Sequence, residues 1–96
     1  MNEVEIITHE LLSKEFSNLP QLSKERVLEA LRDAIIYLLI HDLEKLWNIL
    51  YRIDVNEKKV KDLFNLSNPA EIAPQMAILI YERLEQKALS RIQYRQ

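Results

Sequence analysis

Residues 34–40 read A-I-I-Y-L-L-I, the longest uninterrupted apolar run in this chain. A membrane-spanning helix needs about twenty apolar residues, so a run this short predicts a buried segment and not a membrane anchor. The run lies inside a longer stripe of apolar side chains at helical spacing: Val27, Leu28, Leu31, Ala34, Ile35, Leu38 and Leu39. Because Ile36, Tyr37 and Ile40 widen this stripe, we expect a helix that is central in a bundle or covered by a second copy.

A second apolar series with the same spacing follows the first: Leu43, Leu46, Trp47, Leu50 and Ile53. It is offset from the first series at His41-Asp42. This offset indicates either a short break, with Asp42 capping a new helix, or a stutter within one long helix. We expect the break.

Upstream, the apolar spacing predicts a first helix over residues 2–17. This helix is expected to stop at Asn18-Leu19-Pro20, because the residue before a proline is pushed out of the α region. Ser23 is then expected to cap the helix that contains the apolar run.

Downstream, Asp54 and Glu57 have the spacing of a capping box, which predicts a short helix through Val60, Leu63 and Phe64. Another helix start follows, with Asn68 as the cap and Pro69 at the first helical position. The helical pattern then continues to about Tyr94. Pro74 lies inside it and predicts either a kink or a later helix start.

The chain contains no glycine, where a protein of average composition and this length has roughly seven. The glycine-rich phosphate-binding loops of Rossmann and P-loop proteins are therefore excluded. Helices must end at other residues, and Asn18, Asn56 and Asn65 are the candidates for the left-handed or C-terminal positions that glycine usually occupies. Together these patterns predict an all-α fold, a small helical bundle of four to five helices forming one domain over residues 1–96.

Composition narrows the class of protein further. Thirteen basic and fifteen acidic residues give a formal charge of −2, which does not favour nucleic acid as a partner. Cysteine is absent, which excludes disulfides and thiolate chemistry. The acidic N-terminal sequence lacks the basic start and long apolar core of a signal peptide. We therefore expect a cytoplasmic protein with no membrane association.

The two histidines, His9 and His41, each lie near a carboxylate, Glu5 and Glu44 respectively. Neither pair has the order found in dimetal helical bundles, and no His-Glu-x-x-His sequence is present. We expect both histidines to be solvated, and keep a small metal or metabolite site at His41 and Glu44 as an alternative. No serine lies in a context typical of a nucleophile. The expectation is a protein that is not an enzyme, with no catalytic residue, metal or cofactor.

Trp47, Tyr51, Arg52 and Asp54 lie within about two helical turns of one another. Aromatic side chains beside an arginine are enriched at protein interfaces, so Trp47, Tyr51 and Arg52 are candidate interaction residues. The alternative is structural: Trp47 in the core, Asp54 as a cap, and Arg52 paired with a nearby carboxylate.

Four basic residues, Arg83, Lys87, Arg91 and Arg95, recur every four positions near the end of the chain. Such a stripe is a candidate ridge for phosphates or for an acidic partner. The alternative is favourable placement of cations near a helix C-terminus, which the interleaved glutamates and the negative net charge support.

The string L-Y-R-I-D-V-x-E at residues 50–57 resembles a motif in short, uncharacterised bacterial helical proteins. The ending E-R-L-E-Q-K-A-L-S-R at residues 82–91 is also similar. The resemblance implies a bacterial origin and a helical fold. It implies no activity, cofactor or site residue.

These observations favour a non-enzymatic bacterial protein that acts through protein–protein contacts, with a homodimer as the expected state. The wide apolar stripe around residues 34–40 supports the dimer, since a chain of 96 residues has little else to cover it. The alternatives are a nucleic-acid-associated or regulatory module that uses the basic C-terminal helix, and the site at His41 and Glu44.

Overall fold

The structure, a computed structural model, describes residues 2–17, 19, 23–66 and 68–95. Within this part of the chain, five α-helices follow one another: α1 (Glu3–Glu15), α2 (Lys24–His41), α3 (Leu43–Ile53), α4 (Glu57–Leu63) and α5 (Pro69–Gln93). The predicted all-α bundle is confirmed. None of these helices is both long enough and apolar enough to cross a membrane.

The long helix α5 is the centre of the bundle. It packs mainly against α2 and α1, and α3 and α4 make smaller contacts with it. The side chains between these helices form one apolar core whose largest fully buried members are Tyr81, Leu12, Leu31, Ile35, Leu46, Ile49, Met76 and Ile80. Each helix therefore contributes its apolar stripe to a common interior, as the periodicity predicts.

Every one of the five helices begins with a side-chain cap. In each case an oxygen of the capping residue accepts a hydrogen bond from the backbone N–H three positions later, which satisfies one of the unpaired donors of the first turn. The caps are Asn2, Ser23, Asp42, Asn56 and Asn68. The predicted caps at Ser23 and Asn68 are confirmed.

Asp42 separates α2 from α3, which confirms the predicted break. Its backbone N–H donates to the carbonyl of Leu38 at 2.9 Å and so closes α2. Its side chain accepts from the backbone N–H of Lys45 at 3.1 Å and so opens α3. One residue thus ends one helix and starts the next, and the apolar series of α3 begins there with a new register.

The capping box predicted at Asp54 is wrong. The cap of α4 is Asn56, whereas Asp54 closes α3 in the left-handed conformation with φ 65°. Among the described residues Asp54 is the single non-glycine residue with positive φ. Asn56 opens α4 and does not end a helix, so its prediction is wrong. Asn65 directly follows Phe64, the C-cap of α4, so its predicted place at a helix C-terminus is confirmed, without the left-handed conformation. Asn18 lies outside the described residues. Aspartate fills this position because its short polar side chain tolerates the left-handed region better than most.

The ends of α1 and the start of α5 also differ from the expected boundaries. The first helix ends at Glu15, short of residue 17, with Phe16 in an extended conformation. The last helix begins at Pro69 and continues through Pro74, so the late start is excluded. Pro74 follows the first turn closely and removes a single backbone hydrogen bond.

His9 is buried, and the expectation that it is solvated is wrong. Its side chain lies between α1 and α5 with 2% exposure. Its Nε2 lies 2.9 Å from the hydroxyl of Tyr81, which is itself fully buried. The pair brings polar atoms into the buried contact between α1 and α5, where the hydrogen bond satisfies Nε2 and the tyrosine hydroxyl.

We expect Asp54→Ala to lower the free energy of unfolding by about 1 kcal/mol relative to Asp54→Asn. The reason is that the left-handed conformation is less favourable for alanine than for asparagine. Both variants lose the charge of the carboxylate, so their difference reports chiefly on the left-handed backbone conformation. Urea unfolding measures it. Equal stability of the two variants would contradict the role assigned to this position.

Candidate functional site

Exposed apolar side chains concentrate around α3. Of the nine large apolar side chains that are exposed in the described residues, five lie between positions 37 and 51: Tyr37, Ile40, Leu43, Trp47 and Tyr51. Single exposed apolar residues are normal on a protein surface, but such a concentration makes this region a candidate interaction site.

The register of α3 explains this exposure. The helix buries Leu46, Ile49, Leu50 and Ile53 against the core. Leu43, Trp47 and Tyr51 are spaced by four and therefore lie on a neighbouring flank of the same helix. The apolar stripe of α3 is wider than the core can cover.

This flank borders a groove of about 400 Å³ between α3 and α4. We call it the α3–α4 groove. It is lined by Trp47, Leu50, Tyr51, Asp54, Val55, Glu57 and Val60. Aromatic and aliphatic walls with a few polar groups are typical of binding sites in proteins.

Trp47 is held in place by a second aromatic ring. Its ring stacks on that of Phe64, beyond the end of α4, with centroids 5.2 Å apart and planes 17° from parallel. Trp47 is 39% exposed, so the alternative that places it wholly in the core is wrong. A stacked, half-open tryptophan loses little conformational freedom when a partner covers it.

Among the large apolar side chains that the structure describes, Tyr51 is the most exposed, at 88%. It stands at the wall of the α3–α4 groove beside Trp47. Two carboxylates, Asp54 and Glu57, also line the groove, and Glu57 forms an ion pair with Lys61 at 3.2 Å. The groove thus combines an apolar floor with acceptors for a hydroxyl or amine.

Arg52 does not join this groove. Its Nε donates to both carboxylate oxygens of Glu15, at 3.0 and 3.2 Å. This contact ties α3 to the C-terminal end of α1. The structural alternative for Arg52, a pairing with a nearby carboxylate, is confirmed.

Arg83 has a role that the sequence pattern did not indicate. From α5 its Nε donates to the carbonyls of Ile53 and Asp54, at 3.3 and 3.1 Å. Its Nη2 lies 3.6 Å from the carboxylate of Asp54, and Nη1 donates to Gln86 at 3.3 Å. The guanidinium therefore caps the C-terminus of α3 and holds the turn that forms one end of the α3–α4 groove.

The other three basic residues of the predicted stripe have different surroundings. Arg95 forms an ion pair with Glu3 at the start of α1, while Lys87 is half-buried and Arg91 exposed. Two members of the predicted stripe, Arg83 and Arg95, are thus bound to other helices of the same chain. The structure does not present the four cations as one continuous ridge.

His41 is exposed, as expected, and its ring packs on that of Tyr37 with centroids 4.6 Å apart. In the part of the chain that the structure describes, no group of three or more histidine, aspartate or glutamate side chains is placed to hold a metal ion. His41 and Glu44 therefore have no further ligand beside them among these residues.

Comparison with protein-family models, curated proteins and solved structures gives no match for this chain. The resemblance of residues 50–57 to short bacterial helical proteins stays a hypothesis.

We expect Arg83→Met to lower the free energy of unfolding by about 1–3 kcal/mol, because two carbonyls at the end of α3 lose their charged donor. Arg83→Lys should lower the free energy of unfolding by less than Arg83→Met but should not match the wild type, since an ammonium does not reproduce the planar guanidinium. Lys87→Met, one turn further along α5, is the matched control and should cost less. Equal losses for Arg83→Met and Lys87→Met in urea unfolding would show that the cap is not significant.

Proposed function

We propose that this chain is a non-enzymatic protein that acts through protein–protein contacts as a homodimer, with the α3–α4 groove and Tyr51 as its interface. The observation that carries the proposal is the position of Tyr51, an almost fully exposed aromatic side chain at the wall of an apolar groove. Aromatic side chains are the usual anchors of protein interfaces.

A second copy fits this surface because the surface carries both halves of a contact. In a two-fold symmetric dimer the same patch of each subunit faces the other, so a projecting group must lie beside the pocket that receives its counterpart. Tyr51 and the α3–α4 groove meet this condition. Each Tyr51 ring would fill the partner's groove between Trp47 and Val60, with its hydroxyl within reach of Asp54 or Glu57.

Two contacts order the residues of the groove before any partner binds. Trp47 is fixed by its stack on Phe64, and Arg83 fixes the turn at Asp54. A site whose side chains are already ordered loses less entropy on association. Its aromatic and aliphatic lining favours binding over nucleophilic catalysis.

Two parts of the proposal rest on the sequence. The absence of cysteine fits a reducing, cytoplasmic setting, and a bacterial origin rests on the resemblance of residues 50–57. Nucleic-acid binding by α5 has less support than the dimer, since Arg83 and Arg95 have partners within the chain.

Sedimentation equilibrium tests the dimer. We expect the wild-type chain to be dimeric at micromolar concentration and Tyr51→Glu to weaken dimerisation by about 30-fold or more, the loss expected when an interface anchor is removed and a charge is buried. Tyr94→Glu is the matched control, because Tyr94 is also a highly exposed tyrosine, at 77%, but lies at the end of α5. This control should remain dimeric.

Tryptophan fluorescence gives a second readout, since Trp47 is the only tryptophan in the chain and lines the groove. Dilution of the wild-type protein should shift the emission to longer wavelength as Trp47 becomes hydrated, while Tyr51→Glu should show the hydrated spectrum throughout. A monomeric wild-type chain at micromolar concentration, or equal weakening by Tyr51→Glu and Tyr94→Glu, would overturn the proposal.

A further inference from the structure

The contact between α1 and α5 contains a buried histidine–tyrosine pair that the proposed interface does not use. His9 Nε2 and the Tyr81 hydroxyl lie 2.9 Å apart, and the two rings meet edge to face with centroids 5.7 Å apart. The other ring nitrogen, Nδ1, is buried and has no hydrogen-bond partner among the described residues. Because this nitrogen is buried and unpaired, a change in the protonation of the ring should change the stability of the contact between α1 and α5.

The direction of the hydrogen bond follows from counting unsatisfied atoms. If the Tyr81 O–H donates to Nε2, the neutral ring carries its proton on Nδ1, and only that N–H lacks a partner. If Nε2–H donates to the tyrosine oxygen, both Nδ1 and the tyrosine O–H lack one. Because each unsatisfied buried group is costly, the first arrangement is favoured.

Protonation of His9 would disrupt this arrangement. An imidazolium carries a proton on both nitrogens, so Tyr81 could no longer donate to Nε2 and would have to turn its own O–H away. Burial raises the pKa of Tyr81 to about 12, so this side chain cannot relieve the conflict by losing its proton. A positive charge would also enter an interior from which water is excluded.

The charged groups around the pair oppose one another. Glu5, one turn earlier on α1, favours the imidazolium, but burial outweighs it and lowers the pKa of His9 below its usual 6.5. From α2, the ammonium of Lys24 lies 5.0 Å from the centroid of the Tyr81 ring and 3.8 Å from the carboxylate of Glu85 on α5. Glu25 on α2 also acts on Tyr81. Lys24 repels an added positive charge, and the carboxylates compensate in part.

The attachment of α1 depends strongly on this region. The helix packs chiefly on α5, and the main contacts among α2, α3, α4 and α5 do not involve it. Its ends are held by two ion pairs, Glu3 with Arg95 and Glu15 with Arg52, whose side chains are largely exposed except for Glu15. Exposed ion pairs contribute little to stability, so the buried contacts near His9 and Leu12 dominate.

We propose that α1 is an acid-released cover of α5: protonation of His9 in mildly acidic solution favours a state in which α1 has left the α5 face around Tyr81 while α2–α5 remain packed. In the docked state His9 takes up a proton less readily than in the released state, where its pKa is the usual 6.5. Docking is therefore at full strength above pH 6.5 and weakens as the pH falls from 6.5 to the lowered pKa. Once the pH is below the lowered pKa, the ratio of released to docked molecules has risen about tenfold for each unit by which that pKa is lowered.

Amide hydrogen exchange, with each rate divided by the intrinsic rate at that pH, tests the release. Between pH 7.5 and 5.5 the protection factors of α1 should fall several-fold or more, while those of α2, α3 and α5 change less. His9→Gln should abolish this response, because a glutamine amide can bond to Tyr81 and does not titrate. His41→Gln, which changes the exposed histidine, should respond as the wild type does.

Three results would overturn the proposal: α1 protection that does not depend on pH, equal loss of protection in α1 and α5, or an unchanged response in His9→Gln. If His9→Gln does not fold, proton NMR titration of the wild-type ring decides. A midpoint for His9 below 6.5, in the same interval as the loss of α1 protection, is expected. A midpoint at or above 6.5 would overturn the proposal.

Discussion

The contact of Arg83 with the last carbonyls of α3 is the interaction on which the candidate interface depends. A helix end that lacks a glycine has few ways to satisfy its final carbonyls. Here Asp54 takes the left-handed conformation, and a guanidinium from α5 bonds to two carbonyls at once. This contact fixes the turn between α3 and α4, and with it the end of the α3–α4 groove. The central helix therefore shapes a surface to which it contributes no lining residue.

The break at Asp42 is the second constraint, because it separates two apolar helices that would otherwise share one register. After the break, α3 turns Leu46, Ile49 and Leu50 into the core. Trp47 and Tyr51 then remain on a flank that nothing in the bundle covers fully. The same apolar width that makes α3 a good core helix thus produces the surface proposed for dimerisation.

The buried pair of His9 and Tyr81 places a titratable group in the contact between α1 and α5. A fully apolar contact between α1 and α5 would be insensitive to pH. In the proposed release, the imidazole makes the docking of α1 conditional on protonation. The proposed interface on α3 and the proposed cover on α1 lie on different helices, and they touch through Arg52 and Glu15.

Local rules in the sequence determined the helical class, the break at Asp42 and the caps at Ser23 and Asn68, because capping and apolar periodicity act within a few residues of the chain. They also identified Trp47 and Tyr51, whose spacing places them on one helix face. Only the tertiary structure decided that His9 meets a tyrosine 72 positions away, and that Arg83 caps a helix 30 positions before it. The same holds for Arg52, which pairs with Glu15, 37 positions before it. The physical reason is that such contacts depend on how the helices pack against one another, which no local pattern records.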